Sequence, residues 1–340
     1  MQDNKTGKLI MKQLNRIPDE PPAIKPLAAE VPRPVWSVMI PTYNCSQYLE
    51  ATLKSVLEQD PGPGLMQIEV VDDCSTDGDI AALVAAIGRG RVSFYQQPEN
   101  RGSLRNFETC LNRARGQFVH LLHGDDLSGP GIYQQATRLF EAYPDAGAIC
   151  TGFSYINEQG VEINKSHALQ AETGVIKDWL PQIASGQKMQ PPAVLVRRSV
   201  YERLGGFFGI HYGEDWEMWV RIAANFPVVY TPDRLAFYRV HTTNITSRYF
   251  LSCQHILDIA KVIELIQPYL PAQERSRLKR KARYNWSLYF ARTSDMTYHK
   301  YNAPVQALNQ AGKAFKMHQN KVTLFFLCKI LLKIMLRYKQ

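Results

Sequence analysis

The chain has 340 residues, 45% of them hydrophobic, enough apolar mass for one large core or two modest ones. Its formal net charge is +9, but residues 251–340 hold 16 Lys+Arg against 4 Asp+Glu, while the remainder, 24 against 27, is near neutral. The basic excess therefore speaks to what the C-terminal quarter touches and not to chemistry upstream. Six scattered cysteines, none in a CxxC pair, exclude a disulfide framework and read as reduced, buried thiols in a cytosolic setting. The polar opening residues lack the apolar run of a secretion signal. The longest apolar stretch, Val322 to Leu336, is interrupted by Lys329 and Lys333 and falls short of the ~18 residues of a spanning helix.

Residues 1–34 are polar, then proline-rich, and read as an extended leader, packed on the surface or disordered. From residue 35 the pattern changes. Trp36 to Ile40 reads as a buried strand, Tyr48 to Glu58 as a helix, Gln67 to Val71 as a second strand and Asp79 to Ile87 as a helix. Val92 to Tyr95, Phe118 to Leu122 and Ala148 to Tyr155 continue the strands; Ser103 to Ala114 and Gly131 to Tyr143 are the helices between them. This alternation, about one unit every 25 residues, predicts an α/β fold with a mostly parallel sheet and flanking helices. Residues 156–250 are less regular: a helical stretch opened by Tyr212-Gly213-Glu214-Asp215-Trp216 and running to Ala224, then strands at Pro227 to Tyr230 and Leu235 to Val240. Beyond Phe250 the pattern is helical to the end. The predicted organisation is a leader over 1–34, an α/β domain over 35–250 and a basic helical region over 251–340.

Ligands bind such sheets where the carboxyl ends of strands open into loops. Three polar clusters fall at those points: Pro41-Thr42-Tyr43-Asn44, Asp72-Asp73 and Asp125-Asp126. A third acidic pair, Glu214-Asp215, opens the late helix. Adjacent carboxylates repel each other and stay ionised together only with a cation, N–H donors or a hydrogen-bonded ligand. A hard divalent ion shared with substrate phosphates meets that need; a turn with a helix cap is the plainer reading of any single pair. The chain has neither GxGxxG nor GxxxxGK[ST], which argues against a dinucleotide dehydrogenase and a P-loop enzyme. The Asn100-Arg101-Gly102 loop leads a helix carrying Arg105, cations that face either a nucleotide or solvent.

Taken in order, these blocks resemble family 2 glycosyltransferases, enzymes of the GT-A fold. The matching pieces are Val38 to Asn44, Glu69 to Asp77, Asn100 to Asn106, Gly116 to Asp126, Glu214 to Trp219 and Tyr238 to His241, so the resemblance covers about residues 36–245. It implies that Pro41, Thr42 and Asn44 line the nucleotide pocket, that Asp73, helped by Arg105, holds the base, and that Asp125 sits at the ribose. Asp126 would help hold a divalent metal, Mg2+ or Mn2+; by the chemistry of imidazole His241 is a further candidate at the metal or diphosphate, or else a structural histidine. Asp215 would be the general base that deprotonates the acceptor hydroxyl, with Glu214 on the acceptor side; Trp216 reads either as shaping the acceptor pocket or as core. The implied reaction inverts configuration as a sugar passes from a nucleotide-sugar donor, UDP-linked by resemblance, to a glycan or lipid-linked acceptor. This chain carries His123 where many members have another Asp, a departure that bears on the metal geometry. A nucleotidyltransferase and a non-catalytic nucleotide-sugar-binding module are the competing readings; the first would want a Gly- and Lys-rich loop near the first strand, which is missing.

In the tail, Lys329, Lys333 and Arg337 recur every four residues among apolar ones and predict a cationic stripe beside a wide apolar face. That helix reads either as lying on an anionic membrane surface, at the cytoplasmic face, or as packing on the protein with its charges in water. Zinc spacing and RNA-binding aromatic motifs are missing, so nucleic acid is not an expected partner.

Overall fold

The computed structural model describes residues 16–28, 30–241 and 252–336. They fall into two compact units. The first takes in the described residues of Met1–Lys177, Met189–His211 and Asn225–Val240; the second, those of Asp178–Lys188, Tyr212–Ala224 and His241–Gln340.

The first unit is built on a sheet. In chain order its strands are β1 (Trp36–Thr42), β2 (Met66–Asp72), β3 (Ser93–Gln96), β4 (Phe118–Leu121), β5 (Leu127–Ser128), β6 (Ala148–Ile156), β7 (Glu162–Lys165), β8 (Gly174–Val175), β9 (Val194–Arg197) and β10 (Val228–Arg239). They lie in the order β3-β2-β1-β4-β9-β6-β10-β5, with β7 on β6 and β8 on β10. β1 pairs in parallel with β2 and β4, β2 with β3, and β6 with β10, while β9 runs antiparallel between β4 and β6. The long strands thus share one direction, and their carboxyl ends open on one edge of the sheet. β1 and β2 are buried along their whole length, as expected of central strands covered on both faces.

The helices of this unit are α1 (Ser46–Leu57), α2 (Ile80–Gly88), α3 (Ser103–Arg113) and α4 (Ile132–Ala142), followed, after α5 of the second unit, by α6 (Arg198–Leu204). α3 buries Leu104, Phe107, Cys110 and Leu111 at helical spacing. Under α4, Phe118 and Phe140 stack with centroids 4.1 Å apart, and Trp36 packs against both.

Two differences from the sequence pattern stand out. The strands expected at Pro227 to Tyr230 and Leu235 to Val240 are one strand, β10, with register shifts at Thr231/Arg234 and Arg234/Ala236. Pro232-Asp233 looks like a turn, but the ladder survives as an irregularity because β6 places Gly152 opposite; a Cβ there would lie 2.7 Å from the Pro232 carbonyl oxygen. The described part of the leader is packed. Ile24 is buried, Gly209 and Gly206 donate backbone N–H groups to the Pro18 and Pro22 carbonyls, and Arg198 reaches the Lys25 carbonyl.

The second unit contains α5 (Trp179–Ala184), α7 (Glu214–Ala223), α8 (Gln254–Leu265), α9 (Arg275–Lys300), α10 (Pro304–Met317) and α11 (Lys321–Met335). Asn320 and Thr323 form a capping box that starts α11, and Ile330 packs against Ala307 and Ala311 of α10. The expected cationic stripe is corrected here. Lys329 and Lys333 both pair with Asp295 of α9, at 2.8 and 2.7 Å, so they do not form a solvent-facing row. Arg337 lies outside the described residues. Among the described residues no helix is long and apolar enough to cross a membrane.

Candidate active site

The loops after β1 and β2 are tied to each other before any ligand is considered. Asn44, in the left-handed region at φ 50°, accepts the Thr76 N–H on Oδ1 at 2.8 Å, and its own N–H donates to Ser75 Oγ. Asp77 accepts the Ser46 N–H at 2.9 Å, so α1 is capped from the neighbouring loop. Pro41 and Thr42 end β1; Thr42 is buried, with its hydroxyl turned toward backbone carbonyls. Asp72 folds back on Ser75.

Asp73 is buried and held from above by a loop. Its carboxylate accepts the backbone N–H groups of Arg101 at 2.7 Å and Gly102 at 2.8 Å, and the Asn100 amide at 3.0 Å. Burial pushes its pKa up, and these N–H donors pull it back. Arg16 of the leader bonds the Asn100 side chain from outside. Arg105, in the first turn of α3, pairs with Glu108 at 2.7 Å.

The most unusual group follows β4. His123, Asp125 and Asp126 bring one ligand atom each within 4.8 Å of one another. Asp126 is buried; its Oδ1 accepts the Arg239 N–H at 2.8 Å, and its buried Oδ2 finds no hydrogen-bond partner among the described residues. Burial, then repulsion from Asp125, pushes the Asp126 pKa well up. His123 stacks on Phe107 at 5.1 Å, and burial lowers its pKa, which favours the neutral, metal-ready imidazole. The loop is held tightly. Arg239 donates through Nε to the Asp125 carbonyl and through Nη1 to those of Asn157 and Glu158. Thr52 of α1 sits within hydrogen-bond distance of the Gly124 and Asp126 carbonyls. Gly124 itself passes so close to β1 that a Cβ would lie 2.6 Å from Thr42 Cγ2.

In the second unit, Glu214 and Asp215 occupy the first turn of α7, where the helix dipole favours negative charge. Asp215 accepts the Trp216 N–H on Oδ1 at 2.7 Å and the Gln187 amide on Oδ2 at 2.5 Å. Burial lifts its pKa to about 6 against those two hydrogen bonds. Burial and the Asp215 charge raise Glu214 as well. Trp216 is fully buried, with its indole N–H on the Ile183 carbonyl at 2.7 Å and its ring against Trp286. It is a core residue that anchors the start of α7. His241, also buried, belongs to this unit.

Three participants carry no clear signal in the sequence. His123 was a departure from the expected pattern, yet it stands in the cluster. Arg239 was noted only as part of a short block, and Gln187 lies in a segment without periodicity. Arg239 and Gln187 take their roles from carbonyls and carboxylates far away in the chain, and His123 takes its own from the acidic pair two and three residues on.

An open α/β sheet whose parallel strand ends carry clustered carboxylates, with no glycine-rich phosphate loop in the sequence, agrees with the resemblance to transferases of the GT-A class. The model of glycosyl transferase family 2 matches residues 37–205, and the chain belongs to that family. Among relatives, it is 28% identical over 257 residues to the uncharacterized protein MT1568 of Mycobacterium tuberculosis, covering 72% of this chain and 80% of that one. It is 38% identical over 135 residues to the putative teichuronic acid biosynthesis glycosyltransferase TuaG of Bacillus subtilis, covering 39% of this chain and 52% of that one. The structure of residues 1–349 of Staphylococcus aureus TarS in complex with UDP-GlcNAc superposes with a TM-score of 0.64 at 16% identity, covering 89% of this chain and 92% of that one, a likeness of fold.

Proposed function

We propose that the chain is an inverting glycosyltransferase that moves a hexosyl or N-acetylhexosaminyl group from a nucleoside-diphosphate sugar, UDP-linked in this reading, to an acceptor hydroxyl. The acceptor is a glycan or a lipid-linked glycan of cell-surface polysaccharide, lipopolysaccharide or glycolipid synthesis. Residues 35–250 carry the chemistry, and the helical region 251–340 works at the cytoplasmic face of a membrane.

One observation carries the reading: Asp126, buried beside a second carboxylate and an imidazole, has an oxygen with no hydrogen-bond partner among the described residues. A buried carboxylate in that state calls for a cation. Oxygen donors with one imidazole suit Mg2+ or Mn2+, so Asp126, with Asp125 and His123 beside it, fits such an ion. His241 is a further candidate ligand. When bound, the ion would neutralise charge on the departing diphosphate.

The chain's own residues divide the remaining work. Pro41, Thr42 and Asn44 shape the nucleotide pocket. Asp73 and Arg105 serve the base, Asp73 also by holding the Asn100–Gly102 loop in place. Asp125 serves the ribose. The acceptor oxygen attacks the anomeric carbon as the bond to the diphosphate oxygen breaks, and the acceptor proton passes to the Asp215 carboxylate. Glu214 faces the acceptor side, and Trp216 supports the base from the core.

The test is a panel of sugar nucleotides with Mg2+ or Mn2+, reading released nucleoside diphosphate. Asp126→Asn is expected to weaken metal-dependent donor binding. Asp215→Asn is expected to keep donor binding, seen as thermal stabilisation, while losing transfer by about 10²–10⁴-fold. Absence of binding by every sugar nucleotide with either metal would sink the reading.

A further inference from the structure

The pairing of Lys329 and Lys333 with Asp295 leaves α11 with an unexpected outer surface. Going round the helix at 100° per residue, Leu324, Phe325, Cys328, Leu331, Leu332 and Met335 fall within one arc. All six are exposed, Phe325 at 60% and Met335 at 71% of their full surface. The opposite arc, around Thr323 and Ile330, is the buried one. The face turned to water is thus the apolar one, and the two lysines that would ordinarily solvate such a helix are spent on α9.

Charge decides what this face fits. Asp295 is the last acidic residue of the chain; after it come eight Lys or Arg residues and no Asp or Glu. Lys300, Lys316 and Lys321 are exposed on the described part of that segment. Two copies brought together through α11 would set cation against cation. An anionic lipid surface instead accepts the apolar arc among its acyl chains and the cations among its headgroups.

We propose that α11 is a membrane-docking helix that inserts its Leu324–Phe325–Leu331–Leu332–Met335 face into an anionic bilayer surface, apolar contact holding it and the surrounding lysines selecting for negative headgroups. The proposal gives a physical basis to the membrane-side location above, but it does not depend on the glycosyl-transfer reading. The α11 helix is preformed: its capping box and its seat on α10 are already in place.

The experiment is co-flotation of the full chain with vesicles of phosphatidylcholine alone or with about 30% phosphatidylglycerol. Binding to the anionic vesicles is expected to exceed that to the neutral ones by roughly tenfold or more, and to survive in part at high salt. The variant Phe325→Ser/Leu332→Ser/Met335→Ser changes only exposed side chains, so its melting temperature and nucleotide-sugar turnover on a soluble acceptor should match wild type. Its anionic-vesicle binding should fall roughly tenfold or more. Flotation that the variant leaves unchanged, or none in wild type, would overturn the proposal. So would light scattering that finds wild type dimeric and the variant monomeric, since the face would then be covered by a second copy. Wild type that floats with anionic vesicles but turns over no sugar nucleotide on the soluble acceptor would count against the transferase reading alone.

Discussion

Asp215 holds a carboxylate whose pKa has been lifted to about 6 by loss of water, with Gln187 and Trp216 pulling the other way. The proposed base works only when ionised. As pH falls below about 6, kcat/KM should fall about tenfold per unit, measured under a fixed, saturating metal concentration. Gln187→Leu removes the hydrogen bond that favours the charged form, so the acid limb of that profile should move to higher pH, with a larger loss at pH 6.5 than at pH 8.5. The same burial has a stability consequence. A carboxylate whose folded pKa is raised contributes stability that is present below its unfolded value and lost as pH rises through the folded one. Asp215→Asn should therefore melt higher than wild type at pH 8 while losing transfer, and a lower melting temperature would contradict the sign. Part of this was legible at the residue scale: two acidic pairs stand at strand ends and Glu214-Asp215 opens a helix, while the role of each comes from the family resemblance. Gln187 was not, because its partner lies 28 residues away and neither side of the bond leaves a periodic trace.

At the scale of elements, the alternation of β1, β2, β3, β4 and β6 with helices reads from the sequence, most of them as buried apolar runs, but the two-residue β5 does not. Nor does β9. Val194 to Arg197 is four residues after a Pro-Pro pair, and it enters the sheet antiparallel between β4 and β6. Nothing local distinguishes it from a loop. The inward turn of Lys329 and Lys333 was hidden for a similar reason: a helical period shows which residues share a face but not which neighbour waits there, and Asp295 is on another helix. The link between α1, β1 and the acidic loop is testable through Gly124. Gly124→Ala would place a methyl 2.6 Å from Thr42 Cγ2 and 2.9 Å from Cys45 Sγ. We expect about 1–3 kcal/mol of destabilisation in urea unfolding, with weaker metal-dependent donor binding. A variant as stable as wild type would mean the loop has room that the geometry denies.

On the scale of the whole molecule, the leader matters more than its composition suggests. Proline-rich segments are easily read as spacers, and the sequence left packed and disordered forms equally open. Within residues 16–28, the carbonyls of Pro18, Pro22 and Lys25 receive donors from Gly209, Gly206 and Arg198, far along the chain, and Ile24 is nearly without solvent exposure. Ile24→Ala should cost about 2–4 kcal/mol, the range for a packed aliphatic side chain, where a loosely attached leader would register almost nothing. A denaturant titration with unchanged m-value would establish that the loss is one of packing.

Arg239 is the feature whose consequence reaches furthest. Its guanidinium serves three main-chain oxygens from two separate loops, and its own amide proton serves Asp126. Ordinary arginines trade in carboxylates; this one is a splice, fastening the end of β10 to a turn 113 residues earlier. A lysine has a single ammonium with no planar fork, so it would leave at least one of those oxygens stranded. Retaining the positive charge is thus not enough to retain the shape, and the acidic turn would lose its fixed outline before it lost any of its acids.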